Sequence, residues 1–325
     1  MTELAPAPPL AKFADPDWTA KGERRARVKL EGLRTLWINT GSLCNITCRN
    51  CYIESSPEND RLAYITRAEV ACYLDEIGRR ELPTREIGFT GGEPFMNPDI
   101  IAMLGDALGR GFLVLVLTNA MQPMLRPHIR KGLMALRDKH GSRLIMRVSL
   151  DHYTSELHEE ERGEATFAKT VEGIDWLAGE GFALAIAGRT CWGESEKDMR
   201  AGYAALIAAR GWPVDAHDHA SLVLFPEMDV KADVPEITEA CWGILGKSPS
   251  DVICASSRMV VKRKGAPAPV VLPCTLLPYD PAFEMGATLT QAARANSGMF
   301  EAGAVKLCHP HCAKFCVLGG GSCSA

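Results

Sequence analysis

The sequence lacks any apolar run close to the roughly 20 residues that a membrane-spanning helix needs. Its first residues, MTELAPAPPLAKFADPDW, lack the apolar segment of a signal peptide. A strong charge excess is also missing, since 36 Lys and Arg against 40 Asp and Glu leave a net charge of −4. Nothing in the charge favours a nucleic-acid or membrane partner. We therefore expect a soluble, cytoplasmic protein that binds neither.

Cysteine, in contrast, is abundant. In a chain without an export signal, 12 cysteines are expected to be metal ligands or catalytic groups before they are disulfides. Cys72, Cys191 and Cys241 stand alone; we expect Cys72 and Cys241 to pack in the core, and leave Cys191 open. The other nine fall into a loop group and a C-terminal group: Cys44, Cys48 and Cys51, then Cys254, Cys274, Cys308, Cys312, Cys316 and Cys323.

The loop group has an unusual number of ligands. Cys44, Cys48 and Cys51 are separated by three and then two residues, with no fourth thiol beside them. A structural zinc site uses four protein ligands, and a set of disulfides needs an even number of cysteines. Three thiols therefore predict a metal centre with one position left open.

Apolar runs alternate with amphipathic stretches along most of the chain. Strands that are apolar throughout, separated by helices, indicate a parallel sheet buried on both faces. Six such units predict an α/β fold, a partial (β/α)6 barrel of the TIM type, with its chemistry at the carboxyl ends of the strands. The predicted strands are 35–39, 86–90, 112–118, 144–151, 182–188 and 221–225, and the predicted helices 66–80, 98–109, 126–139, 166–181 and 195–209.

The ends of the chain differ from this central part. We divide the chain into an N-terminal extension (1–33) with little core, the barrel (34–244) and a small cysteine-rich domain (245–325). In that last domain we predict a hairpin, Met259–Lys262 and Val270–Leu272, with Cys254 before it and Cys274 after it. Its apolar residues look too few for a stable core, so we expect bound metal to hold it together.

Two motifs carry a family resemblance that covers roughly residues 34–230. CNITCRNCY resembles the CxxxCxxC signature of the radical S-adenosylmethionine (SAM) superfamily, and TGGEP (90–94) resembles its second motif. The resemblance implies a [4Fe–4S] cluster on Cys44, Cys48 and Cys51 whose open iron binds SAM. One electron from the cluster would then cleave SAM to methionine and a 5′-deoxyadenosyl radical.

The same resemblance implies a set of SAM-binding residues. Gly91 and Gly92 would let backbone approach SAM, so a side chain at Gly92 should impair SAM binding more than folding. Ser149 and Arg162 lie in a stretch resembling SLDG…H…RG, although His152 replaces its glycine. The full set of expected contacts is Tyr52, Gly91, Gly92, Glu93, Pro94, Asn119, Ser149 and Arg162, with Thr118 beside Asn119 and with Glu93 and Pro94 holding the turn.

The C-terminal cysteines resemble the SPASM and twitch domains of the same superfamily, which bind auxiliary [4Fe–4S] clusters. Six cysteines cannot fully ligate two clusters, so we expect one auxiliary cluster, with a second that has an open iron as the alternative. A zinc knuckle that uses His309 or His311 is a further alternative.

We therefore predict a radical SAM enzyme that acts by hydrogen abstraction on a small molecule or a peptide. A reducing partner such as flavodoxin or ferredoxin is implied, and no catalytic residue is assigned. The alternative is a non-catalytic iron–sulfur or zinc protein that carries electrons or binds partners. Thr275 stands where sulfatase-maturing relatives place an acidic residue after a hairpin cysteine, which disfavours that activity. An extension of 33 residues is also too short for an N-terminal peptide-binding domain.

Overall fold

Eight strands form one sheet in the computed structural model of the chain, which describes residues 11–226 and 233–319. Strands β2 to β7 follow each other in spatial order and run parallel, and helices connect them. The six predicted strands are thus confirmed. The sheet strands are β2 (Thr35–Asn39), β3 (Glu86–Thr90), β4 (Leu113–Thr118), β5 (Leu144–Ser149), β6 (Ala183–Arg189), β7 (Leu222–Phe225), β8 (Ser257–Val261) and β9 (Val270–Leu272).

Helices cover the sheet. The first begins at a capping box, in which the Thr66 hydroxyl accepts from the Glu69 N–H at 3.3 Å and the Glu69 carboxylate accepts from the Thr66 N–H at 2.9 Å. The helices are α1 (Arg67–Arg79), α2 (Ile100–Gly109), α3 (Gln122–Leu125), α4 (Pro127–His140), α5 (Ser155–Arg162), α6 (Thr166–Gly179), α7 (Glu196–Arg210), α8 (Cys241–Leu245) and α9 (Leu289–Ala292). Helices α3, α5, α8 and α9 were not predicted.

Cys72 and Cys241, both predicted to pack in the core, differ in their burial. Helix α1 buries Val70, Leu74 and Ile77 on one face, which leaves Cys72 exposed on the other, so the prediction for Cys72 is wrong. Cys241, at the start of α8, packs against the core as predicted.

The predicted hairpin exists but lies in the main sheet. Strand β8 pairs in parallel with β2, with Leu36 opposite Arg258, and β9 pairs antiparallel with β8. The tail is also richer in buried apolar side chains than predicted, with Phe283, Phe300 and Phe315 all in the core. The domain boundary at residue 244 stays a prediction.

The N-terminal extension packs against the tail. Strand β1 (Arg27–Val28) pairs antiparallel with β11 (Ala304–Lys306), which also pairs with β10 (Phe300–Glu301). Buried Arg25 forms an ion pair with Glu236 at 2.6 Å. The described part of the N-terminal extension is thus packed on the tail as an additional layer rather than forming a separate arm.

Among residues 11–226 and 233–319, no helix has both the length and the apolar character for crossing a membrane.

Candidate active site and metal centres

The three loop cysteines line one cavity. Cys44 is buried, Cys48 and Cys51 are partly buried, and all three follow the carboxyl end of β2. The cavity measures about 1030 Å³ including the part open to solvent. It lies where the carboxyl ends of the parallel strands meet, as such folds require. Its other lining residues are Tyr52, Ile53, Ser55, Thr90, Gly91, Gly92, Leu117, Thr118, Asn119, Ser149, Asp151, Arg162, Ala187, Arg189, Phe225, Thr275 and Leu276.

Helix α5 holds the cysteine loop in place. The Glu161 carbonyl accepts from the Arg49 N–H at 2.7 Å, and the Glu161 carboxylate accepts from Asn50. On the opposite side, Arg189 at the end of β6 donates to the Asn50 carbonyl at 2.9 Å. The segment between Cys48 and Cys51 is therefore bound from two elements.

Arg162, a predicted SAM ligand, has its planar fork directed at a carboxylate of the protein. Its Nε and a terminal nitrogen donate to the two oxygens of Asp151 at 2.7 and 3.0 Å. Arg189 lies 3.7 Å from the same carboxylate. Burial would raise the pKa of Asp151, but these two guanidinium groups hold it below its usual value. Arg162 still borders the cavity, as a member of a buried ion network.

Gly91 and Gly92 pack against the backbone of the cysteine loop. A Cβ at Gly92 would lie 2.1 Å from the Leu43 carbonyl oxygen, and one at Gly91, whose φ is +141°, would lie 2.6 Å from that of Gly41. The Gly92 N–H donates to the Gly41 carbonyl at 2.8 Å. A side chain here would displace the loop that carries Cys44, so the structure favours a joint loss of folding and cluster binding over the predicted loss of mainly SAM binding.

Glu93 and Pro94 lie behind the cavity rather than on its surface, since both are buried and neither lines it. The Glu93 carboxylate accepts from the Asn119 N–H and from the Thr118 hydroxyl, both at 2.9 Å. Burial nevertheless raises the pKa of Glu93 to about 7. Glu93 also accepts from the Phe95 N–H, so its carboxylate holds the turn and ties it to the end of β4.

Asn119 and Ser149 both line the cavity, at the ends of β4 and β5. The Asn119 amide donates to the Asn45 side chain at 2.9 Å and approaches the Cys44 sulfur at 3.8 Å. Asn119 is therefore a neighbour of the first cysteine as well as a residue available to a ligand.

Tyr52 lines the cavity but packs against protein groups. The Arg189 guanidinium lies 4.6 Å from its ring centre. The Tyr52 ring packs in a T-shaped arrangement with the rings of Phe225 and Phe315, and the ring centres are 6.3 and 6.1 Å apart. Tyr52 thereby joins the cysteine loop to the last strand of the barrel and to the tail.

The three thiols fit a cluster by their chemistry. Burial raises the pKa of Cys44 to about 12 and that of Cys48 to about 11, so iron binding must displace their protons. In the part of the chain that the structure describes, no three His, Cys, Asp or Glu side chains converge as they do around a single metal ion. In a [4Fe–4S] cube each thiolate binds a different iron, and three thiols leave one iron for another ligand.

A second, smaller cavity, of about 290 Å³ including the part open to solvent, lies in the tail. Four of the six predicted ligands border it: Cys254 before β8, Cys274 after β9, and Cys312 and Cys316 on a short π-helical stretch, Cys312–Leu318. The rest of its lining is apolar: Val252, Ile253, Pro273, Leu277, Phe283, Val305 and Leu307. Four thiols around an apolar cavity match what a [4Fe–4S] cluster needs.

The other predicted tail ligands are placed differently. The Cys308 thiol lies 3.2 Å from the Phe13 carbonyl oxygen and does not border the cavity. His309 and His311, the alternative zinc ligands, do not border it either. Cys323 lies outside the described residues.

Sequence reasoning missed several residues of the first site, notably Asp151, Glu161 and Arg189. Asp151 follows β5 and Arg189 ends β6, and residues at strand ends of such folds are candidates for a site. Glu161 gave no comparable indication, because its partner Asn50 is 111 residues away.

The comparison with protein families assigns the class. Residues 38–196 match the Radical SAM superfamily, a match that implies a [4Fe–4S] cluster and SAM as cofactors. The relatives below carry names of biosynthetic and maturation proteins, which confirms the prediction of an enzyme of this class.

Two curated relatives match about the same length of chain. Over 145 residues the chain is 32% identical to the Antilisterial bacteriocin subtilosin biosynthesis protein AlbA of Bacillus subtilis (strain 168). This match covers 44% of the present chain and 30% of AlbA. Over 140 residues the chain is 30% identical to Mycofactocin maturase MftC of Mycobacterium ulcerans (strain Agy99). This match covers 43% of the present chain and 35% of MftC. The chain thus spans only about a third of the length of these curated relatives.

A solved structure extends the likeness to the fold. The crystal structure of Streptococcus suis SuiB bound to S-adenosylmethionine matches with a TM-score of 0.59 at 12% identity, over 82% of this chain and 66% of that one. The predicted α/β partial barrel is confirmed.

Proposed function

We propose that this chain cleaves SAM reductively and uses the resulting 5′-deoxyadenosyl radical to abstract hydrogen from a peptide or a small molecule. The observation that carries the proposal is the shared cavity of Cys44, Cys48 and Cys51 with the glycine turn. An electron carrier would need no substrate cavity beside its cluster.

The chain's own residues have distinct parts in this proposal. The three cysteines would hold the cluster, and the Gly91–Gly92 backbone, Asn119 and Ser149 would surround SAM. Arg162 would lend the cavity positive charge while Asp151 fixes its position. Thr275 and Leu276 bring the tail to the same cavity, which supports a substrate that lies between barrel and tail.

The relatives support a maturation reaction, since one is named for bacteriocin biosynthesis and one is a maturase. A peptide is therefore the first substrate class to test, and a small molecule the second. Flavodoxin or ferredoxin is the proposed reductant.

The tail is proposed to hold one auxiliary [4Fe–4S] cluster on Cys254, Cys274, Cys312 and Cys316. Support comes from their position around one cavity with an apolar remainder. Cys308 is left out of this ligand set because its thiol faces the N-terminal extension.

The test is anaerobic reconstitution followed by reduction with dithionite in the presence of SAM. Wild type and the matched control Cys72→Ala, which removes an exposed thiol, should release 5′-deoxyadenosine. Cys48→Ala should release none, while its tail iron remains. A reconstituted, reducible protein that releases no 5′-deoxyadenosine would favour the electron carrier instead.

A further inference from the structure

Arg258 is a buried cation without a carboxylate partner in the described part of the chain. It lies on β8 with 2% of its surface exposed. One terminal nitrogen donates to the carbonyls of Cys254 and Ser257 at 2.6 and 2.7 Å, and its buried Nε has no hydrogen-bond partner. A buried charge is costly unless an opposite charge balances it. The position therefore needs an explanation beyond packing.

Arg258 contacts one proposed cluster ligand directly, because it donates to the Cys254 carbonyl, and a second, Cys274, follows β9, the strand that pairs with β8. Both border the apolar tail cavity with Cys312 and Cys316. Four thiolates around an oxidised cube would leave a net charge of about −2, which reduction makes more negative. In such an apolar setting a single neighbouring cation has a strong electrostatic effect.

We propose that Arg258 is the counter-cation of the auxiliary cluster and raises its reduction potential. This inference rests on the proposed auxiliary site. The guanidinium is charged at neutral pH, and its hydrogen bonds to the Cys254 and Ser257 carbonyls fix it beside the first ligand. Reduction adds negative charge to the cluster, so a fixed cation favours the reduced form.

The test uses the full chain with Cys44, Cys48 and Cys51 all replaced by Ala, so that only tail iron contributes. Reconstituted protein is titrated anaerobically with dithionite and redox mediators, and the EPR signal of the reduced cluster is followed. Arg258→Met removes the charge, and Arg258→Lys keeps it as the matched control. We expect the equilibrium constant for reduction to fall at least about tenfold in the Met variant, a shift of about 59 mV to more negative potential, and to change much less in the Lys variant.

A second measurement covers variants that fold poorly. Reconstitution should raise the melting temperature of the Arg258 protein more than that of Arg258→Met or Arg258→Gln, because cluster and cation stabilise each other. Iron that binds equally well with an unchanged potential in every variant would overturn the inference and assign Arg258 to the cavity that it borders, beside Leu33 and Ala292. A triple-Ala protein that binds no iron would overturn the auxiliary site itself.

Discussion

Both oxygens of the Glu161 carboxylate accept hydrogen bonds from Asn50, at 2.8 Å from its backbone N–H and at 2.9 Å from its side-chain amide. Asn50 lies between Cys48 and Cys51, and Glu161 lies on α5. The helix thus fixes the conformation of the segment that must present two of the three thiols.

Replacing Glu161 should weaken the first cluster. In Glu161→Gln an amide N–H would face an N–H of Asn50, and such an unmade buried hydrogen bond costs about 1–3 kcal/mol. We expect less iron at the first site and slower release of 5′-deoxyadenosine, measured on protein with the tail cysteines intact. The control is Glu160→Gln, whose ion pair with Arg49 is exposed and worth at most about 1 kcal/mol. Equal iron retention in both variants would contradict the role given to Glu161.

Replacing Gly92 should affect folding and iron together. A Cβ there would meet the Leu43 carbonyl oxygen at 2.1 Å, so Gly92→Ala must shift the cysteine loop, at a cost of about 1–3 kcal/mol. Chemical denaturation and iron counting should both report the loss. Gly78→Ala is the control, since Gly78 lies in α1 with no atom within 4 Å of an added Cβ and Ala stabilises helices by about 1 kcal/mol. A stable Gly92→Ala protein that loses only SAM binding would restore the original expectation.

The sequence predicted the features that depend on local pattern. The six strands follow from continuous apolar runs, and the Cys44 loop and its glycine turn follow from motif spacing. Helix α5 was missed because its sequence, SELHEEER, has a single apolar residue and no apolar face. The Glu161–Asn50 pair and the separation of Cys308 from Cys312 depend on how distant segments pack, which no local spacing contains.

The tail cysteines offer a paired comparison. Cys312 borders the apolar cavity and Cys308, four positions earlier, does not. In the triple-Ala background, Cys312→Ala should lose most of the tail iron, about four per chain in the parent. Cys308→Ala should keep it, because it loses only contacts with the Phe13 and Asp15 carbonyls. Iron and sulfide analysis decides the question, and loss of iron from both variants would add Cys308 to the ligand set.

His158 should make stability depend on pH. It is fully buried on α5, its Nδ1 accepts from the Asp151 N–H at 3.2 Å, and burial with the nearby charge of Arg162 lowers its pKa to about 3. Between this value and its ordinary 6.5 the unfolded chain binds the proton more readily than the folded one. Stability from this residue is therefore complete above pH 6.5 and is lost as the pH falls towards 3.

The variant His158→Gln keeps an acceptor for the Asp151 N–H but removes the titrating ring. We expect it to be less stable than wild type at pH 7.5, and the difference to shrink below pH 6.5 by up to about 1.4 kcal/mol per pH unit. Urea denaturation between pH 4.5 and 7.5 measures this, with His128→Gln, an exposed histidine on α4, as the control for removing a histidine. A difference between wild type and His158→Gln that stays constant across this range would show that the buried ring does not resist protonation.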